Sequence, residues 1–148
     1  MELQPTLTFA TGADRVQVTL LTRAWPGSRW TFDDDWLLAE LDVASAERRF
    51  QAECFLRAPD LLHFRDELLD LAGGRRARAA LDPADPWVWA EVVREAEGGL
   101  RLRVRARDGH TERVVEFAGE LAPPALASLR AEAERAAAAF PPAARQAT

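Results

Sequence analysis

LLAELDVASAERRFQAECFLRAPDLLHFRDELLDLAGG, residues Leu37 to Gly74, switches from a period of two to a period near 3.6, and that switch decides the fold. Leu37, Ala39, Leu41 and Val43 alternate with Leu38, Glu40 and Asp42, the pattern of a strand with one buried face. After the turn Ala44-Ser45-Ala46, Phe50, Ala52, Cys54 and Leu56 alternate with Arg49, Gln51, Glu53 and Phe55. The two runs read as an antiparallel hairpin. Ala58-Pro59-Asp60 then places a proline and an acid where a helix begins. Leu61, Phe64, Leu68 and Leu71 follow at helical spacing until Gly73-Gly74 ends the helix.

Upstream, Val16, Val18 and Leu20 alternate with Gln17 and Thr19 as a further strand. Downstream the plan repeats. A short segment, Ala77 to Leu81, leads through the turn Asp82-Pro83-Ala84-Asp85-Pro86 to a strand from Trp87 to Glu95 and a turn at Gly98-Gly99. Leu100, Leu102, Val104 and Ala106 then alternate with four arginines. Asp108-Gly109 is a hairpin turn before Val115, Phe117 and Leu121. Pro123-Pro124 opens a second helix carrying Leu126, Leu129, Ala133, Ala137 and Phe140, and Pro141-Pro142 stops it.

Laying one half on the other puts Leu38 on Leu102, Phe50 on Phe117 and Leu61 on Leu126, spacings of 64, 67 and 65 residues. With so little identity between them, a common architectural pattern and a true duplication account for the halves equally well. Each helix has one apolar stripe and each strand one apolar face. The expectation is therefore a single α+β domain over residues 1–142, a curved, mainly antiparallel sheet of about seven strands with two helices on one face, built as two hairpin-plus-helix halves. Residues 143–148 read as a disordered tail.

The chain of 148 residues is 48% hydrophobic and 29% charged, a globular composition, and no apolar run is long enough to cross a bilayer. The N-terminus lacks a basic segment followed by an apolar stretch, so no secretion signal is expected and the protein reads as cytoplasmic. The lone Cys54 has no intrachain disulfide partner. All 19 basic residues are arginine, which removes lysine-based Schiff-base chemistry and the P-loop lysine. A net charge of −5 argues against nucleic acid as a partner.

Three features compete as functional sites. The run Asp33-Asp34-Asp35 looks like a cation site, but adjacent residues of an extended segment point apart, so it reads as a turn in which Asp35 satisfies local backbone donors. Arg101, Arg103, Arg105 and Arg107 share one strand face. Glu91, Glu95, Glu116 and Glu120 stand ready on the neighbouring strands, so the ladder reads first as a salt-bridged face and, if those acids point elsewhere, as a docking surface. Of the five tryptophans, Trp87 and Trp89 lie on the less apolar side of their strand and form, with Arg101, Arg103 and Arg105, the expected partner-binding residues. His63, His110, Cys54 and the serines lack partners at metal-ligand or nucleophile spacing, so no catalytic, metal or cofactor site is expected and the chain reads as a non-enzyme.

Asp35-Trp36-Leu37 with its alternating strand, the Phe50-Gln51-Ala52 strand, the Pro59 to Leu71 helix and the terminal helix ending at Phe140-Pro141 resemble, in that order, a bacterial family related to WapI immunity proteins. The resemblance spans Val16 to Pro141. It implies a small cytoplasmic protein that binds and neutralises a cognate polymorphic toxin, without a cofactor; it carries over no toxin-contact residue. The absence of lysine and the alanine-rich last helix depart from it. The expected mechanism is occlusion of the toxin by an acidic or aromatic surface of about 800 Å². The alternatives are a small-ligand carrier or sensor with an apolar pocket between helices and sheet, and an enzyme using carboxylates such as Asp33, Asp35 or Glu40, which would have to converge in a cleft.

Overall fold

The computed structural model describes residues 4–25, 35–85 and 87–143. Along the chain these residues form β1 (Thr6–Thr11), β2 (Asp14–Arg23), β3 (Trp36–Ala44), β4 (Arg49–Arg57), α1 (Ala58–Ala72), β5 (Arg78–Leu81), β6 (Val88–Arg94), β7 (Leu100–Arg107), β8 (Val114–Glu120) and α2 (Pro123–Ala139). The α+β class and the two strand-and-helix halves follow the sequence expectation. The sheet count does not: among the described residues the strands number eight and divide into two four-stranded antiparallel meanders, β1-β2-β3-β4 and β5-β6-β7-β8.

Two strands escape the periodicity argument for different reasons. β1 has only Leu7 and Phe9 as inward residues, too few to set a period, although both are fully buried. In β5, Ala79, Ala80 and Leu81 are buried in succession, so the strand shows no alternation. α1 joins β4 to β5, and each sheet is a self-contained meander. Each helix then packs along the first strand of the other half's sheet, α1 on β5 and α2 on β1, and the helices pack on each other.

This exchange solves an edge problem twice with the same device. A first strand leaves a row of backbone N–H groups open to pairing with another chain. Glu67 of α1 accepts the Ala80 N–H of β5 at 2.9 Å, and Glu132 of α2 accepts the Thr8 N–H of β1 at 2.9 Å. Glu132 also accepts the hydroxyls of Thr6 and Thr8 at 2.8 and 3.0 Å.

Those two glutamates are 65 residues apart, and so are the buried pairs Leu37 and Leu102, Phe64 and Leu129, and Leu68 and Ala133. Earlier in each half the spacing is 72, from Leu7 to Ala79 and from Phe9 to Leu81. Cross-strand register adds a third spacing: Glu40, between Thr19 and Glu53, corresponds to Arg103, between Glu91 and Ala118, 63 residues on. The connection between β2 and β3, longer than the β6–β7 turn by seven residues, accounts for most of the fall from 72, and the β7–β8 turn, longer than the β3–β4 turn by two, restores 65. The match of Leu38 to Leu102 is one residue out of register: Leu38 faces outward, whereas Leu102 is buried. The drift between the halves thus falls in their connections.

One apolar cluster joins the inner faces of both sheets to both helices, with the Phe9 and Phe64 rings 5.9 Å apart at its centre. The helices thus cover one side of each sheet and leave the other outward. Asp35 ties the segment after α2 to the junction of β4 and α1, as a buried carboxylate whose Oδ1 accepts the Ala143 N–H at 2.7 Å and whose Oδ2 lies 3.7 Å from Arg57. Its carbonyl accepts the Ala58 N–H at the start of α1. Ala143, expected to begin the tail, is therefore docked; 144–148 lie outside the described residues, as do Asp33 and Asp34.

Candidate partner interface

The outward face of the second sheet collects the expected residues. Cross-strand register sets Trp89 opposite Arg105 and Glu91 opposite Arg103, while Arg105 faces Glu116 and Arg101 faces Glu120 on the other side. The Arg103 and Arg105 guanidiniums lie 5.7 and 5.4 Å from the Trp89 ring centroid, so the indole is held between two cations. Glu91, itself buried, binds Arg78 and reaches Arg103 at 3.3 Å. Glu116 lies 3.4 Å from Arg105 and 4.0 Å from Arg103.

Glu91 and Glu116 therefore point at the arginines, as the salt-bridged reading requires, whereas Glu95, Glu120 and Arg101 make no ion pair among the described residues. Each exposed pair contributes little alone, about 0.2 to 1 kcal/mol, but together they fix the side chains. Trp87 departs from its expected companion. Its ring packs against the core, lies under Arg107 at 5.8 Å and is pressed on the Gly109 turn, where a Cβ would fall 2.4 Å from the indole. That turn is held by Asp108, whose carboxylate accepts the His110 N–H at 3.0 Å and the Thr111 hydroxyl at 3.0 Å. The hydrogen bond from the His110 backbone does most to hold the Asp108 carboxyl below its ordinary range.

The outward face of the first sheet is chemically different. At one end Trp25, 51% exposed, stacks on Phe55 with centroids 5.8 Å apart and planes 11° from parallel. Leu38 stands opposite Phe55 in register. Trp36 faces the same side, outward and under the Arg57 guanidinium at 5.8 Å. In the middle of the face Glu40 stands directly opposite Glu53, both exposed, and among the described residues no cation lies within ion-pair distance of either. Asp42, one pair further along, has Arg15 at 3.6 Å.

Sequence reasoning did not assemble Trp25, Leu38, Phe55, Glu40 and Glu53 into a site. The signal was present in the parity of the hairpin strands, since Leu38 and Glu40 occupy the outward positions of β3, and Glu53 and Phe55 those of β4. Only the register brings acid against acid.

The Cys54 thiol is buried, which pushes its pKa up to about 12. Asp35 and Glu40, named as members of a cleft, do not converge: the first is buried in its clamp, the second lies on the outer sheet face. Among the described residues no three of His, Cys, Asp or Glu are grouped to hold a metal, and no helix is long and apolar enough to cross a membrane. A cleft of about 780 Å³ opens where the end of α1, the β6–β7 turn and the start of α2 meet, lined by Leu100, Leu121 and Leu126 but also by Arg94, Glu120 and Arg130.

The chain is similar in fold to the plant transcriptional regulator PBF-2, with a TM-score of 0.50 and 9% identity over 95% of this chain and 84% of that one. WHY1 from Arabidopsis thaliana gives a TM-score of 0.49 and 7% identity over 95% and 92% of the chains. MRP1/MRP2 of Trypanosoma bruciei gives 0.48 and 11% over 91% and 84%. At such identities the likeness concerns the fold alone. No curated protein sequence matches. The sequence profile of the immunity protein WapI-like family, however, matches residues 7–141, from the first buried leucine of β1 to the proline that stops α2. A match across both halves and both helices places the chain in the WapI-like immunity protein family.

Proposed function

We propose that this protein is a non-enzymatic, cytoplasmic immunity protein that binds a cognate bacterial protein toxin and neutralises it by covering the toxin's working surface. The observation that carries the reading is family membership over residues 7–141. Two structural features support it. Each sheet turns one face outward, away from the common core, and each such face carries aromatic and charged side chains of the kinds that dominate protein interfaces.

Trp87, Trp89, Arg101, Arg103 and Arg105 form one of the two surfaces open to such a partner. Trp89 is already fixed between two guanidiniums, so docking there would forfeit little side-chain freedom. The test of the function is protection. Cells producing the cognate toxin domain, sought first among the neighbouring genes, should survive when the protein is co-produced and die without it; death in both cases removes the reading.

A carrier or sensor is the second reading, and the cleft between the helix ends favours it. With Arg94, Glu120 and Arg130 at its wall, that cleft suits a polar rather than a purely apolar ligand. Mass spectrometry of the natively purified protein tests this directly: a bound small molecule supports it, and unliganded protein that still protects cells rejects it.

A further inference from the structure

We infer that the toxin docks on the outward face of the first sheet, and that the surface it presents there is basic and arginine-rich. This rests on the reading of toxin neutralisation and adds to it the face and the partner's charge.

Glu40 and Glu53 face each other across β3 and β4, and like charges directly opposite in a sheet destabilise it. On the second sheet the acids Glu91 and Glu116 are matched to guanidiniums of this same chain. On the first sheet the nearest ion pair, Arg15 with Asp42, leaves both glutamates unmatched. A cation supplied by a partner would offset their repulsion, and an overall charge of −5 draws a basic partner in.

The second observation is independent of charge. Trp25 lies flat on Phe55 and is half exposed, with Leu38 opposite Phe55 in register, so an apolar platform adjoins the acid pair. An indole face attracts a guanidinium as well as apolar side chains, and tryptophan recurs among the residues that carry interface energy. The combination of platform and acid pair fits arginine on both counts, through its charge and through its planar stacking group.

Size fits such a partner. Four strands of six to ten residues, about 4.8 Å apart and about 3.3 Å per residue, give a flat footprint of roughly 19 by 30 Å. Side chains corrugate that footprint, so its accessible surface exceeds the roughly 570 Å² of the plane and is of the order of the roughly 800 Å² per partner of a standard interface.

The face can be tested without any toxin. An arginine-glycine decapeptide is titrated into the full chain, and the indole N–H signals are followed by nuclear magnetic resonance, with Trp→Phe variants for assignment. Saturable shifts should centre on Trp25 and Trp36 and leave Trp89 in place, and E40K/E53K should weaken binding about tenfold or more. Shifts centred on Trp89, no saturable shift, or unchanged binding by E40K/E53K would overturn the inference. So would self-association of the free protein that E40K/E53K abolishes, because the face would then belong to a second copy. Failure of cell protection removes the toxin reading, whereas failure of the peptide to dock here removes the face.

Discussion

Sixty-three residues separate Leu38 from Arg101, Glu40 from Arg103 and Asp42 from Arg105, and cross-strand register makes these pairs equivalent, so the central strands of the two sheets carry different chemistry at matching outward positions. On β7 the arginines meet Glu91 and Glu116 and enclose Trp89. On β3 Glu40 meets another acid, and the aromatic stack beside the pair stays half exposed. One backbone plan therefore yields a face on which glutamates stand across from arginines and a face on which a glutamate stands across from a glutamate. The lesson is that matching outward positions in the two halves do not carry a matching charge pattern.

The largest effect should come from the core that both faces share. Leu68→Ala removes a fully buried side chain from α1 and should cost about 2 to 5 kcal/mol in denaturant unfolding. The equivalent position in α2 is already Ala133, so the first half supplies the bulk at this layer and both faces should be lost together. Next, Glu91→Ala leaves Arg78 and Arg103 without their shared buried acceptor, and a loss of about 1 to 3 kcal/mol is expected.

Glu40→Gln or Glu53→Gln should move stability the other way, by a gain of about 0.2 to 1 kcal/mol, because the repulsion across β3 and β4 is relieved. Opposite signs for removing an acid from the two faces would sharpen the comparison. A loss of stability at both would break it. The smallest effect concerns the tip of the β7–β8 hairpin. Asp108 has its folded pKa below the ordinary 3.8, so its contribution is present above that value and is lost as pH falls through the lower folded pKa. Asp108→Asn should therefore flatten the acid limb of the stability profile below about pH 4 while leaving the first-sheet face unchanged.

Much of this was legible in the sequence, and the failures have physical causes. The hairpin of Leu37 to Leu56 and both helices announce themselves through period and caps. β1 and β5 do not, because Leu7 with Phe9 makes too short a series and Ala79-Ala80-Leu81 has no alternation. Division into two sheets depends on each helix crossing to the far half's first strand, a tertiary choice that Glu67 and Glu132 record but do not advertise. The arginine ladder and its acids could be paired from parity alone. Trp25 on Phe55 could not, because a residue beyond the end of β2 has no parity to read.

The most direct test of the central claim is the affinity of the toxin domain, measured by titration calorimetry, for the wild-type protein, for E40R/E53R and for R103A/R105A. The account predicts a loss of tenfold or more for E40R/E53R, with R103A/R105A binding within about threefold of wild type. The reverse order would contradict it and assign the toxin to the arginine–tryptophan face.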